Sequence, residues 1–181
     1  MPTHRLDLSA STLVLRTRAA GLLARLAHDL EIAAPELTAE ATVDAAGAWS
    51  AEIVVPVAAL RVAGTLHGDR LDRAGLSASD RAEVERKIRE EVLAGTREVR
   101  VRASGASRDQ AEARVALAQG AATVKARLSA TDQPGGAVRV TGSSALSMRA
   151  LGLREVKGPL GSFKLRDEIE VLFELTLRPE G

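Results

Sequence analysis

The chain has no cysteine and no tyrosine, and among 181 residues it carries only two phenylalanines and one tryptophan. Without thiols it cannot form disulfides, thiolate metal sites or a cysteine nucleophile, although this does not fix the compartment. Aromatic residues are 2% of the chain while hydrophobic residues reach 45%. The apolar content is therefore Ala, Leu and Val, and the core must be filled by small aliphatic groups or left partly unfilled. Charge excess is missing too. The 25 Lys and Arg nearly balance 24 Asp and Glu, a net charge of +1. That gives no reason to expect nucleic acid or an anionic membrane as partner. The charges are interspersed rather than blocked, as on an ordinary soluble surface. No window approaches a transmembrane helix. Met1 to Asp7 holds no basic segment followed by an apolar run, so a cytosolic location is expected, or a periplasmic one if a leader has been removed. The length suits a single domain spanning 1–181, large enough for a substantial core.

What the chain does have is alternation. From Glu168 to Leu177, Ile169, Val171, Phe173, Leu175 and Leu177 share one parity. Glu168, Glu170, Glu174 and Thr176 share the other, with Leu172 the exception. Period two over this length is a half-buried strand, one face dry and one wet. The same pattern recurs along the chain. Leu13 and Leu15 oppose Arg16 and Arg18, and Leu26, His28, Leu30 and Ile32 oppose Asp29 and Glu31. Leu37, Ala39, Ala41 and Val43 share a face, as do Trp49, Ala51, Ile53, Val55 and Val57. Pro56 has no N–H for a ladder and marks a strand end or an edge. Val99, Val101 and Ala103 oppose Glu98, Arg100 and Arg102; Val115, Leu117, Val124, Ala126 and Leu128 continue the theme, and Val138 to Leu146 shows it more weakly. Asp44-Ala-Ala-Gly and Asp132-Gln-Pro-Gly-Gly read as turns between such runs.

One segment has a different period. From Asp80 to about Leu93, Val84, Ile88 and Val92 recur every fourth residue and form an apolar helical stripe. Asp80 with Glu83 makes an N-terminal capping box, Ser79 being the alternative cap. Glu83/Lys87 and Glu85/Arg89 are Glu-first pairs worth roughly 0.2–0.5 kcal/mol each. Gly95 stands where a helix end calls for a left-handed residue. Such a helix is expected to cover a sheet or one end of a barrel.

About eight amphipathic strands leave exposed edges unless they close into a barrel or fold into a sandwich. A membrane barrel is apolar outside. Here the polar parity carries full charges, including Arg100, Arg102, Lys125, Arg127 and Glu170, which belong in water. The apolar parity must point inward, and the barrel must be soluble. The fold expected is mainly β: an antiparallel barrel of about eight strands with one main α-helix.

In the order of its segments the chain resembles the YceI-like family of lipocalin-like, polyisoprenoid-binding proteins. Leu6-Asp-Leu-Ser-Ala-Ser-Thr-Leu is similar to that family's opening strand, and Leu26-Ala-His-Asp-Leu to its His-Asp segment. Leu76-Ser-Ala-Ser-Asp-Arg-Ala-Glu-Val with Glu91-Val-Leu is similar to its inserted helix. Gly158-Pro-Leu-Gly-Ser-Phe-Lys-Leu-Arg-Asp-Glu-Ile-Glu-Val is similar to its closing loop and strand. The resemblance implies a lipocalin-like barrel that binds an isoprenoid or another lipid.

The residues that could carry chemistry are few. A His-Asp pair such as His28-Asp29 ligates metal in one class of phosphohydrolase, together with further His and Asp residues on helices. This chain has only His4, His28 and His67. Adjacent strand residues also point to opposite faces, so His28 and Asp29 do not easily share one ion. The preferred expectation is a structural His28, facing inward between Leu26 and Leu30 with a ring nitrogen hydrogen-bonded. A contact to a ligand headgroup at a cavity mouth is the alternative. His67-Gly-Asp69-Arg70 reads as an exposed loop. Ser143, Ser144 and Ser147 have no nucleophile-elbow context. Gly158-Pro-Leu-Gly161 lacks the spacing of a phosphate loop. It reads as a turn, or as a lid packing Leu160 and Phe163 onto the barrel end.

Composition alone favours a packed core. An eight-stranded barrel is, however, just wide enough for one small ligand, and the resemblance shifts the balance toward a cavity. Its expected ligand-binding residues are Leu13, Leu15, Leu26, His28, Leu30, Ile32, Ile53, Val55, Val99, Val101, Val171 and Phe173. The function expected is non-enzymatic binding or carriage of an isoprenoid or other lipid-like apolar molecule. The alternative is a packed barrel serving as a protein-interaction or structural module. No catalytic residue, metal ligand or cofactor is expected. The expected partner is an apolar lipid-like small molecule, with no nucleic acid, no stable membrane insertion, and a homodimer allowed for.

Overall fold

The longest strand organises the molecule in the computed structural model, which describes residues 3–21 and 27–180. This strand, β14 (Glu168–Pro179), pairs along one edge with β12 (Val138–Ser147). Its other edge is shared by β2 (Thr12–Thr17) and β1 (Thr3–Leu6). From β1 the ladder continues through β5 (Thr38–Val43), β6 (Trp49–Pro56), β9 (Glu98–Gly105), β10 (Gln110–Ala116) and β11 (Ala121–Asp132) back to β12. The result is a closed antiparallel ring of eight strands. Alternation decides which way it faces. Along β9 and β11 the charged parity, including Arg100, Arg102, Lys125 and Arg127, is exposed, and the Val and Ala parity turns inward.

A side sheet leaves the ring at β14. There β2 pairs with β4 (Asp29–Ala33), β4 with β7 (Arg61–His67), and β7 with the short β8 (Arg70–Asp72). Three extended runs break between ring and side sheet. The first breaks at the Leu8–Ala10 turn, the second around Pro35, and the third at Pro56 and the Val57–Ala59 turn. Pro56 supplies no ladder N–H, and its strand ends there. A further short pair joins β3 (Ala19–Ala20) to β13 (Lys164–Leu165) beside this sheet.

Because β7 pairs only with β4 and β8, while β9 pairs with β6 and β10, the wall opens between them. The helix lies in that part of the chain. α1 (Ala78–Lys87) continues into a π-helical turn, Ile88–Val92. Its cap is Ser77 rather than Asp80 or Ser79: Ser77 Oγ accepts the Asp80 N–H at 3.1 Å and donates to the Asp80 carboxylate at 2.7 Å. Asp80 thus stands three residues inside the cap, and its carboxylate turns back to the Ser77 hydroxyl rather than capping on its own account. Ile88, Val92 and Leu93 pack against core residues including Ile32, Val55, Val115 and Met148. Gly95 follows at φ +79°, in the left-handed region that a helix end favours.

The helix is fastened at an irregularity. The β4–β7 register shifts between Glu31 and Ile32, so that Glu31 faces Gly64 and Ile32 faces Val62. Ala63 is the extra residue, and β8 pairs only with Thr65–His67, so the backbone groups of Val62 and Ala63 on that edge have no strand beside them. Side chains one helical turn apart supply the partners. Glu85 Oε1 accepts the Val62 N–H at 2.9 Å, and Arg81 donates to the carbonyls of Val62 and Ala63. Glu85 is therefore spent on β7 and does not make the i,i+4 pair with Arg89 that its spacing suggested.

Candidate functional site

Inside the barrel runs a cavity of about 870 Å³. That is within the size range of small-molecule sites. The side chains facing it do not fill it, contrary to the packed core that composition favours. β2 contributes Leu13 and Leu15, β4 contributes Leu30 and Ile32, and β6 contributes Ile53 and Val55. β9 adds Val99 and Val101, and β14 adds Val171 and Phe173. His28 stands on the wall just before β4. Leu26 lies outside the described residues. The structure thus brings every other expected wall residue around one space.

The expected ligand-binding residues leave out the alanines that make the space. Ala41 pairs with Ala51, Ala51 with Ala103, and Ala103 with Ala113. Four neighbouring strands therefore meet the cavity with a methyl group at one level. The alternation shows that these alanines face inward. Only the strand register shows that they form a row. At the next level toward the helix, Ile53, Val101 and Val115 stand in line across β6, β9 and β10 and narrow the bore. Gly142 has a related role. A Cβ there would stand 2.6 Å from the Phe173 ring, so glycine lets that ring lie across β12.

The two ends differ. At the end away from the helix the wall includes His4, Trp49 and Arg108. Trp49 Nε1 donates to the Ser107 carbonyl at 2.8 Å, and Arg108 meets Asp132 at 2.8 Å. At the helix end the wall is made by Val84, Lys87, Ile88 and Val92 of the helix, by His28, and by Lys157 to Pro159 with Phe163. The turn Met148–Leu153 also reaches the cavity here. Asp167 holds it: one oxygen accepts from Ser147 Oγ at 2.5 Å and the other from the Arg149 N–H at 2.8 Å. These donors hold the Asp167 carboxyl below its usual range, the Ser147 hydroxyl contributing most.

Two local expectations need correction. His28 is exposed, not enclosed between strand neighbours, and its ring makes no hydrogen bond to a described residue. It precedes β4 instead of lying in it, so no ladder draws it inward. Its neighbour Asp29 carries the structural load. Asp29 Oδ1 accepts the Ala19 N–H at 2.8 Å, and Oδ2 meets Arg18 at 3.3 Å. Arg18 also donates to the Gly68 carbonyl at 2.6 Å and to Asp69 at 2.9 Å. The His67–Arg70 segment is accordingly the turn of the β7–β8 hairpin, tied down by Arg18. The second correction concerns the Gly158–Gly161 loop. Phe163 lines the cavity, but Leu160 does not pack onto the barrel. It is fully exposed and held at φ +53°.

Among the described residues, no three His, Asp or Glu side chains gather as metal ligands would, and no helix is long and apolar enough to cross a membrane. No family model and no curated protein matches the chain. Among solved structures, the crystal structure of Burkholderia cenocepacia BcnA superposes with a TM-score of 0.61, covering 94% of this chain and 98% of that one at 15% identity. At that identity the likeness is one of fold.

Proposed function

We propose that the protein is a non-catalytic carrier of the YceI-like type, which encloses a long apolar molecule, an isoprenoid or another lipid chain, within its barrel. The observation that carries this reading is the cavity of about 870 Å³ with an almost wholly aliphatic wall. Transfer of apolar surface from water to such a wall contributes about 25 cal/mol per Å², and a chain-like ligand gains along its whole length. The motif order of the sequence supports the family, and the barrel likeness to BcnA supports the fold that the reading needs.

Native mass spectrometry of the purified protein, followed by organic extraction, tests it. A non-covalent adduct that passes into the organic phase is expected, as is uptake of a fluorescent polyene alcohol by the extracted protein. Replacing Val101 by Trp places an indole in the bore and should abolish that uptake with the circular dichroism spectrum unchanged. Protein that carries no adduct and takes up no polyene would sink the carrier reading.

A further inference from the structure

The connection between β12 and β14, Met148 to Asp167, forms part of the wall at the helix end, and its two faces differ. Leu151, Leu153, Val156, Phe163 and Leu165 line the cavity. Arg149, Arg154, Lys157, Lys164 and Arg166, interleaved with them, are all exposed. Five basic residues thus stand with two acidic ones, in a chain that totals 25 Lys and Arg against 24 Asp and Glu. Both acids are engaged. Asp167 accepts from the Ser147 hydroxyl and the Arg149 N–H. Glu155 is shared by Lys157 at 3.0 Å and Lys164 at 3.2 Å, whereas Arg149, Arg154 and Arg166 make no ion pair among the described residues. The near-neutral total therefore conceals a local cationic face.

The same connection carries the most exposed large apolar side chain of the described residues. Lys157 bridges to Lys164, and the Gly158 N–H donates to the Phe163 carbonyl at 2.9 Å. Residues 159–162 are thus the tip of a small hairpin. Leu160 stands there fully exposed, with φ +53°. A bulky residue at such a φ is an outlier, because glycine alone adopts it without steric cost. Strain of this kind points to a use for the side chain that it displays. One leucine offers far too little area for a specific protein interface, which buries about 800 Å² on each partner. A bilayer needs no matching pocket. An aliphatic tip enters the acyl boundary while the cations around it meet acidic headgroups.

We propose that the β12–β14 connection docks the helix end of the barrel reversibly on an anionic lipid bilayer, with Leu160 among the acyl chains and Arg149, Arg154 and Arg166 against the headgroups. Docking belongs to the surface and holds whether or not the cavity is filled. Co-sedimentation tests it, with vesicles of phosphatidylcholine alone and of phosphatidylcholine mixed with phosphatidylglycerol. One basic residue near an anionic surface is worth roughly fivefold, so binding to the mixed vesicles should be at least about tenfold tighter. High salt should weaken it. Leu160→Gly removes the side chain and suits the left-handed backbone, so its melting temperature should not fall. Its binding to the mixed vesicles should drop about tenfold. The Arg149→Gln/Arg154→Gln/Arg166→Gln variant should lose the preference for mixed vesicles. The Lys125→Gln/Arg127→Gln variant, which removes exposed charge from β11, should keep it. Binding to neither vesicle, equal binding to both, or full binding by Leu160→Gly overturns the proposal. An equal loss in the Lys125/Arg127 variant does so too, by showing diffuse attraction. A Leu160-dependent dimer without vesicle binding would make a second copy the partner and also overturn it. Leu160 does not line the cavity, so Leu160→Gly should take up the polyene alcohol as wild type does, and failed docking leaves the carrier reading standing.

Discussion

His28 and Asp29 are neighbours in sequence with opposite roles. The exposed imidazole has no described partner, whereas the carboxylate ties the start of β4 to Ala19 and Arg18. Replacing His28 by Leu should therefore leave the urea midpoint nearly unchanged, within about 0.5 kcal/mol, as for surface positions away from packed features. Asp29→Ala strands the Ala19 N–H and one face of Arg18, and should cost about 1–3 kcal/mol. Equal losses at the two positions would contradict this division. Asp167 gives a pH-dependent counterpart. Its folded-state value is depressed by Ser147 and the Arg149 N–H. The ionised carboxylate thus stabilises the fold at pH values above its ordinary one. That contribution disappears as pH falls from there through the lower folded-state value. Wild type should exceed Asp167→Asn in melting temperature at neutral pH, and the gap should close in acid. A gap that widens as pH falls would show that the carboxylate does not hold the Met148–Leu153 turn in its ionised form.

The helix is joined to the barrel at an uncovered edge of the sheet. Val62 is almost fully buried, and its N–H has the Glu85 carboxylate as acceptor on an edge of β7 that β8, paired only with Thr65–His67, does not cover. Glu85→Ala should cost about 1–3 kcal/mol by leaving that donor unsatisfied, and hydrogen exchange at Val62 should accelerate. Unchanged exchange there would mean that the helix is held by packing alone. β7 is also the strand that the sequence conceals. Period-two reading works where one face is wet, as in β9 and β14, whose charged parity alternates with an apolar one. Along β7, Val62, Gly64, Thr65 and Leu66 are all buried; the chain that folds back after β8 covers the strand, with Asp72 and Arg73 beside Gly64 and Gly75 against the Thr65 side chain. No wet parity survives to be read. The helix stripe was legible, but its cap was not: Ser77, Ser79 and Asp80 are all capping types within four positions, and only geometry distinguishes them. The cavity wall was legible by parity. The alanine row was not, since pairing Ala41, Ala51, Ala103 and Ala113 needs the register of four strands. The Gly158–Gly161 turn was legible, but the outward direction of Leu160 was not, because hydrophobicity alone does not show that a left-handed residue points its side chain into water.

At the scale of the whole barrel, stability and capacity oppose each other. A barrel filled with larger side chains at the alanine level would bury more apolar area and gain dispersion contacts that an empty bore forgoes. Natural sequences retain such under-packing where function uses it, and filling it is a recurrent route to added stability. Ala103 sits mid-row, between Ala51 and Ala113, facing the space. Ala103→Leu should raise the stability of the empty protein by about 0.5–2 kcal/mol, the usual yield of cavity filling. In a packed interior the same change would cost about 1–3 kcal/mol through overpacking. The two expectations differ in sign, so one denaturation curve separates them. Uptake should move the other way, with the variant binding the polyene alcohol more weakly as the bore shortens. Loss of stability in Ala103→Leu would mean that the bore is filled in solution by the protein's own side chains. A gain in stability with undiminished uptake would mean that the ligand never reaches the alanine level and occupies only the helix end.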